Sequence, residues 1–582
     1  MGTELPEWLK SKYSLLQNKF GKKGFSYEQA VKILKEDKDE KTAATVFSEL
    51  EKAGFIKIKA GSTNKNLYKL KQREEWKEIF SVNQKMTRNT IESILKKAAD
   101  LIRTRVDYKF ILILLFYKRI SDKWELEYEK EYRKALAEGL SEERAKEEAK
   151  NYRFHTFDLP EEFLWENIRK DVSKLPENFS KALKALGERN KDLKDVVDRT
   201  DFIEFTTSTE NAEILRQLVE LFSEKKLHHV SPDILGDAYE WVLRYFAPTK
   251  AKEGEVYTPR EVIKLLVEVL DPDPGESVYD PCCGSGGMLI TSYNHVKEEH
   301  GKEEVKKLFL YGQEANPMTY TLCKMNLYIH DIIDVNIQGG DTLLYPKFLE
   351  DNTLKEFDMV IANPPWNQDG FGKDTLRKAN FWKKRFRYGF PPNQSADWAW
   401  MQHMITSARD KNGRVGVVID NGCLFRGGKE KRIRTKVLER DLIECVILLP
   451  EKLFYNTGAP GAIIVFNKNK SQERKGKVLF INASEEYEQH PDVRKLNRLG
   501  EEHISKIVEV YKRFEDEKGF ARIVALDEIK DNDHNLNIPL YVFPEVEVEE
   551  IDINREWAEL REIGGEIEQI EKQIEEYLKV LE

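Results

Sequence analysis

Between Gln84 and Phe246, apolar residues such as Ile91, Ile94, Leu95, Ala98, Leu101 and Ile102 recur at steps of three and four, which predicts an almost wholly helical segment. Its stretch from Leu126 to Tyr152, rich in Glu, Lys, Arg and Ala, reads as a solvent-exposed helical hairpin. After Pro248 the pattern changes to short Val/Ile-rich runs alternating with helices, the rhythm of a doubly wound α/β sheet expected to be parallel. Strands are expected at Ser277 to Asp280, Leu308 to Gln313, Asn336 to Gly339, Met359 to Ala362, Arg414 to Ile419, Ile443 to Leu449 and Ile463 to Asn467. Near the end, Leu560, Ile563, Ile567, Ile570, Ile574, Tyr577 and Leu581 alternate in steps of three and four, the seam of a coiled-coil-like helix. From Pro6 to Leu70, short amphipathic helices precede two alternating strands, beginning at Phe55 and Leu67, around a turn containing Gly61 and Asn64.

That first segment looks like a winged-helix module, and its 14 Lys and Arg against 9 Asp and Glu over residues 1–70 permit contact with nucleic acid without requiring it. The expected organisation is a winged-helix-like module at 1–75, a helical domain at 84–246, an α/β domain at 247–475 and a C-terminal extension at 476–582. A length of 582 residues excludes a mini-protein or a disordered chain, and 34% charged side chains imply a heavily ionised surface. The net charge of -9 is unevenly spread: residues 545–582 hold 14 Asp and Glu against 4 Lys and Arg, leaving a nearly neutral body with an acidic tail. The longest apolar run, Phe110 to Tyr117, is short of the roughly 20 residues of a membrane helix. A soluble, cytoplasmic protein is therefore expected. Five scattered cysteines form no disulfide framework, and no metal-ligand constellation stands out.

Chemistry is expected at the carboxyl ends of the strands, where doubly wound sheets bind ligands. Val278-Tyr-Asp-Pro-Cys-Cys-Gly-Ser-Gly-Gly-Met carries a strand into an acid, Asp280, and a turn formed by Gly284, Ser285, Gly286 and Gly287 before a helix. No Gly-Lys-Ser/Thr follows, so a P-loop is excluded. Glu314 ends the next strand, where an acid can accept both hydroxyls of a ribose, and Asp341 follows the third, where it could accept from an adenine amine. The fourth signal is the hydrophobic strand ending in Asn363-Pro364-Pro365-Trp366. Two prolines fix the backbone so that the Asn363 side chain and the Pro364 carbonyl can accept from one amino group, with Trp366 available for stacking on a base flipped out of its duplex.

On these motifs, residues from about Gln84 onward resemble the modification subunit of type I restriction-modification systems, a family of N6-adenine DNA methyltransferases. The helical lead-in also resembles that family around Ala98 to Arg103 and Leu114 to Asp122. The resemblance implies a Rossmann-like methyltransferase sheet and S-adenosyl-L-methionine as cofactor. It implies that Glu255, Val256, Tyr257, Thr258, Pro259 and Arg260 wrap the methionine end, with Asp280, Gly284, Ser285, Gly286, Gly287, Glu314 and Asp341 completing the cofactor site. Asn363, Pro364, Pro365 and Trp366 are then the catalytic tetrad, with Trp in a place where many relatives carry Phe or Tyr. Implied partners are double-stranded DNA, a specificity subunit bound by two methyltransferase subunits, and a restriction/translocase subunit, with no membrane.

Two basic segments flank this site. Trp366 to Pro392 holds 7 Lys and Arg against 2 Asp and Glu, interleaved with Phe371, Phe381, Trp382, Phe386, Tyr388 and Phe390. Residues 426–440 repeat the 7 against 2. Lys383, Lys384, Arg385, Arg387, Arg426 and Lys429 are the expected phosphate contacts, and the interleaved aromatic residues the expected support for a displaced base. The tail helix is expected to dock on a partner's helices. Methylation of RNA adenine or of a protein glutamine amide, and a non-catalytic DNA-binding scaffold, stay open as alternatives.

Overall fold

The computed structural model describes residues 88–102, 107–194, 197, 202, 209–227, 230, 232–250, 258–455, 457–491, 493–543 and 553–581, together with residues 16, 19, 25–26, 29–30, 56–59 and 67–70. Of the expected N-terminal module, the strands β1 (Phe25–Ser26), β2 (Ile56–Lys59) and β3 (Leu67–Leu70) lie among these, paired antiparallel in the order β1-β3-β2. The chain divides into two units, residues 1–250 with 317–333, and residues 251–316 with 334–582.

The first unit is helical: α1 (Arg88–Ile102), α2 (Lys109–Ala137), α3 (Glu142–Ala149), α4 (Leu175–Arg189), α5 (Thr209–Ser223) and α6 (Pro232–Lys250). Residues Ile111 to Asp122 of α2 are all buried, so this helix is a core element rather than a one-sided amphipathic one. The burial includes a charge pair: Lys118 Nζ donates to Asp122 Oδ1 at 2.6 Å, and Asp122 Oδ2 also accepts from the Leu227 amide at 2.7 Å. The expected hairpin after Leu126 turns at Gly139, φ +91°, and restarts with Ser141 accepting from the Arg144 amide. Helix Pro317–Ile329, which follows a strand of the α/β sheet in sequence, belongs to this helical unit. There the Tyr239 hydroxyl donates to the Leu322 carbonyl, and Phe157 meets Tyr328 edge to face.

The second unit contains a sheet of nine strands among the described residues. In chain order they are β4 (Ser277–Asp280), β5 (Phe309–Glu314), β6 (Val335–Gly339), β7 (Met359–Ala362), β8 (Arg414–Asp420), β9 (Ile443–Leu448), β10 (Gly461–Asn467), β11 (Lys477–Asn482) and β12 (Ala521–Ala525). Their order across the sheet is β12-β11-β9-β10-β8-β7-β4-β5-β6. All seven expected strands are present, and two corrections follow. The sheet is mixed: β10 runs antiparallel to both β8 and β9, and β12 antiparallel to β11. It also continues past residue 475 with β11 and β12, so the α/β architecture extends into the segment read as a C-terminal extension.

The block β6-β5-β4-β7-β8 is parallel throughout, with Val278 opposite Met359 and Leu310 on the two sides of β4. The chain leaves β4 outward through β5 and β6, then returns to place β7 on the other side of β4. The β4/β7 boundary is therefore the topological switch point, where a crevice opens beyond the carboxyl ends. Packed against this half is helix Asp397–Ser407, every residue of it buried. Among the described residues no helix is long and apolar enough to cross a membrane.

Candidate active site

Asp280 ends β4 with its carboxylate buried, and Oδ1 accepts from the Cys282 amide at 3.0 Å. Gly284 and Gly286 then take φ of +51° and +85°, values that side-chain-bearing residues rarely adopt, and Gly286 leads into helix Gly287–His300. Ser285 is half-buried in the turn. The Gly284 amide donates to Glu314 Oε2 at 3.0 Å and the Asn316 amide to Oε1 at 2.7 Å, so the second acid is fixed by the first acid's glycine turn. Burial, reinforced by the nearby Glu314 charge, pushes the Asp280 carboxyl up to about 8.

The Asp341 loop is tied to the same two strands. Asp341 Oδ1 accepts from the Leu344 amide at 2.9 Å, and the Thr342 hydroxyl donates to the Pro281 carbonyl at 2.6 Å. Gln313, fully buried on β5, donates to the carbonyls of Gly340 and Tyr345 and accepts from the Lys347 amide. The three acids in chain order thus sit on three loops joined by hydrogen bonds. Gln313 and Thr342, which do the joining, carry no signal in the sequence beyond being polar near an apolar run.

Asn363 follows β7 directly. Its Nδ2 donates to Thr258 Oγ1 at 2.8 Å, and its Oδ1 accepts from Trp366 Nε1 at 2.9 Å. Pro364 is buried, and Pro365 and Trp366 are half-buried. The Trp366 ring meets Phe454 at 4.7 Å between centroids, edge to face. A Cβ on Gly461 would lie 2.8 Å from Phe454 and 3.0 Å from Trp366, so the first residue of β10 has no room for a side chain. Of the segment expected to wrap the methionine end, Glu255, Val256 and Tyr257 lie outside the described residues. Thr258 touches the tetrad, Pro259 is buried, and Arg260 begins helix Arg260–Leu270.

The basic segments divide. Arg385 is fully buried, donating to the carbonyls of Thr342 at 2.9 Å and Leu343 at 2.8 Å, and from Nε to His403 Nδ1 at 3.1 Å. Burial brings its guanidinium down to about 10 and holds His403 neutral. Arg385 therefore anchors the Asp341 loop and cannot reach a phosphate. Arg426 is likewise committed, to Asp397 at 2.5 Å, Asp420 at 2.7 Å and Glu430 at 2.7 Å. Asp397 in turn accepts from the Asn367 amide at 2.9 Å, one residue beyond the tetrad, where φ is +51°. Lys383, Lys384, Arg387 and Lys429 are exposed, with Lys384 near Glu356 at 3.1 Å. Of the aromatic residues expected to support a base, Phe371, Trp382, Phe386 and Phe390 instead build a small core with Leu343, Leu376 and Trp400, in which Phe386 is buried and the other three are half-buried, and Tyr388 is buried in the larger core of the sheet.

The family model described as N-6 DNA Methylase matches residues 230–550, and the one described as HsdM N-terminal domain matches 91–222. The chain belongs to the N-6 DNA methylase family. The type I restriction enzyme MjaVII methylase subunit of Methanocaldococcus jannaschii is 43% identical over 96% of this chain and 95% of its own length. The HindI methylase subunit of Haemophilus influenzae is 32% identical, covering 66% of this chain and 85% of its own. Among solved structures, the type I restriction-modification methyltransferase subunit from Streptococcus thermophilus superposes with a TM-score of 0.67 at 26% identity, over 78% of this chain and all of that one. This methylase is thus an adenine-specific DNA methyltransferase of the type I modification-subunit kind, with the family's helical N-terminal domain ahead of its catalytic sheet.

Proposed function

We propose that this methylase binds S-adenosylmethionine across Asp280, the turn from Gly284 to Gly287, Glu314 and Asp341, and methylates a flipped-out adenine held by Asn363, Pro364, Pro365 and Trp366. The observation that carries the reading is the position of both motifs at the β4/β7 switch point of one parallel block. The donor set suits the cofactor: a buried Asp280 carboxyl pushed up to about 8 beside a second carboxylate is a site short of positive charge. When bound, S-adenosylmethionine supplies a methyl group on a cationic sulfur. Glu314, whose Oε2 accepts from the Gly284 amide at 3.0 Å, and Asp341 orient it as acceptors, and Asp280 supplies a buried carboxyl at the end of β4.

Asn363 Oδ1 and the Pro364 carbonyl accept the two N–H bonds of the target amine, drawing its nitrogen toward the pyramidal form whose lone pair can attack. Trp366 supplies an aromatic surface for the base. No side chain forms a covalent bond, so rate comes from positioning and from acceptors fixed in advance. Lys383, Lys384, Arg387 and Lys429 contact DNA phosphates.

Sequence recognition comes from a specificity subunit carrying two copies of this chain. The supporting feature is helix Ile553–Leu581, on which Leu560, Ile563, Ile567, Ile570 and Ile574 are each at least 51% exposed in one seam. The same reading locates the chain with chromosomal DNA, in the cytoplasm. Asn363→Ala tests the assignment: methyl transfer to DNA should fall by roughly a hundredfold or more, while S-adenosylmethionine still binds in a calorimetric titration. Retained activity would overturn it.

A further inference from the structure

The amide of Asn363 is useful to an attacking amine only if its oxygen, and not its nitrogen, faces that amine. The terminal torsion of asparagine is broad and nearly two-fold, so the backbone alone does not decide between the two orientations. Two neighbours touch the carboxamide: Thr258 Oγ1 takes Nδ2–H at 2.8 Å, and Trp366 Nε1–H donates to Oδ1 at 2.9 Å. They are not equivalent. A threonine hydroxyl both donates and accepts, so it can pair with either end of the amide. An indole N–H only donates, and a flipped Asn363 would set N–H against N–H.

Trp366 is itself held in place. Its ring stands edge to face on Phe454, and the space beside both rings is kept open by the missing side chain of Gly461. The amide oxygen keeps a second lone pair after accepting from the indole.

We propose that the Trp366 indole N–H is a positioning group that sets the orientation of the Asn363 carboxamide, with Thr258 as its anchor, so that the oxygen is presented before the target base arrives. This rests on the assignment of Asn363 as the acceptor for the target amine and adds a role for Trp366 beyond its aromatic surface. A phenylalanine at this position would keep the surface and lose the donor. A serine at 258 would keep the anchor, and a valine would lose it at nearly constant volume.

The test uses the full chain assembled with a specificity subunit, measuring single-turnover methyl transfer to duplex DNA together with separate affinities for S-adenosylmethionine and for DNA. Trp366→Phe and Thr258→Val should each slow transfer by roughly tenfold, with DNA affinity little changed in both and S-adenosylmethionine affinity little changed in Trp366→Phe. Thr258→Ser should restore the rate. The double variant should be no slower than the slower single variant, because both act through one carboxamide. Losses that multiply in the double variant would show that the two side chains act independently and overturn the proposal, as would a Trp366→Phe rate equal to that of the parent, or a loss in DNA affinity rather than rate. Asn363→Ala separates the two levels. If it abolishes transfer while Trp366→Phe transfers at the parent's rate, only the positioning role falls; if it retains activity, the acceptor assignment and this proposal fall together.

Discussion

The amide of Gly284 donates to Oε2 of Glu314 at 3.0 Å, so the glycine turn after β4 and the acid at the end of β5 form one unit rather than two neighbouring motifs. This bond keeps the Glu314 charge close to the buried Asp280, where burial first and that charge second disfavour ionisation of the Asp280 carboxyl. A crevice lined in this way favours a cationic ligand.

That pairing gives a pH dependence with a defined sign. The folded Asp280 carboxyl titrates at about 8 against 3.8 for an ordinary aspartate, so between these values the folded chain holds a proton that the unfolded chain has lost. Its contribution to stability is therefore present below about pH 4 and is lost as pH rises through about 8. A cationic ligand prefers the ionised form, so S-adenosylmethionine should bind more tightly as pH rises from 6 toward 8.5, a range that spans the pKa of about 8. Asp280→Asn should weaken binding and flatten this slope; calorimetric titration across the range checks it.

Arg385 should behave as a cofactor-loop residue. Its guanidinium holds the carbonyls that follow Asp341 and no other buried cation replaces it among that loop's described partners. Arg385→Lys offers one donor group for four acceptors, the carbonyls of Thr342, Leu343 and Asn380 and the His403 ring, and affinity for S-adenosylmethionine should drop by roughly tenfold. The dependence of DNA binding on salt should be unchanged, which binding titrations at several salt concentrations would measure.

The exposed cations should behave in the opposite way. Neutralising Lys383, Lys384 and Arg387 together to Gln should weaken DNA binding about uniformly across sequences and reduce the salt slope by about 2 to 3. Cofactor affinity should be unaffected. An unchanged salt slope would remove this surface from the DNA interface.

The seam on helix Ile553–Leu581 has a direct assay. Ile563→Asp with Ile567→Asp places two charges in the exposed apolar stripe and should abolish co-purification with a specificity subunit. The melting temperature of the isolated chain should hardly move, since neither side chain is buried in it. Assembly that survives the double substitution, or a chain shortened after Pro544, would show that the seam serves another purpose.

Much of the fold was legible because its strands are short, apolar and bounded by turn residues, and burial on both faces leaves little else they could be. Strand direction was not legible: nothing in Gly461–Asn467 distinguishes an antiparallel strand from a parallel one, and only its pairing with β8 and β9 fixes it. β11 and β12 escaped because they lie beyond the last motif, where the expected boundary fell. In the candidate site, Asp280, Glu314, Asp341 and Asn363 stood out because each ends a strand or follows one within two residues. Charge counting failed for Arg385 and Arg426, since a run of basic residues does not reveal which ones turn inward toward carbonyls or carboxylates.

By itself, the sequence determined seven strands of the sheet and the family to which the chain belongs. Local periodicity and short motifs suffice for these, because they depend on residues a few positions apart. Only the tertiary structure decided that Arg385 serves a loop instead of a phosphate, that Gln313 ties one acid's strand to another's turn, and that Thr258 meets an asparagine 105 residues away. Those are hydrogen bonds between distant segments, and their geometry is fixed by how the whole sheet packs rather than by either segment alone.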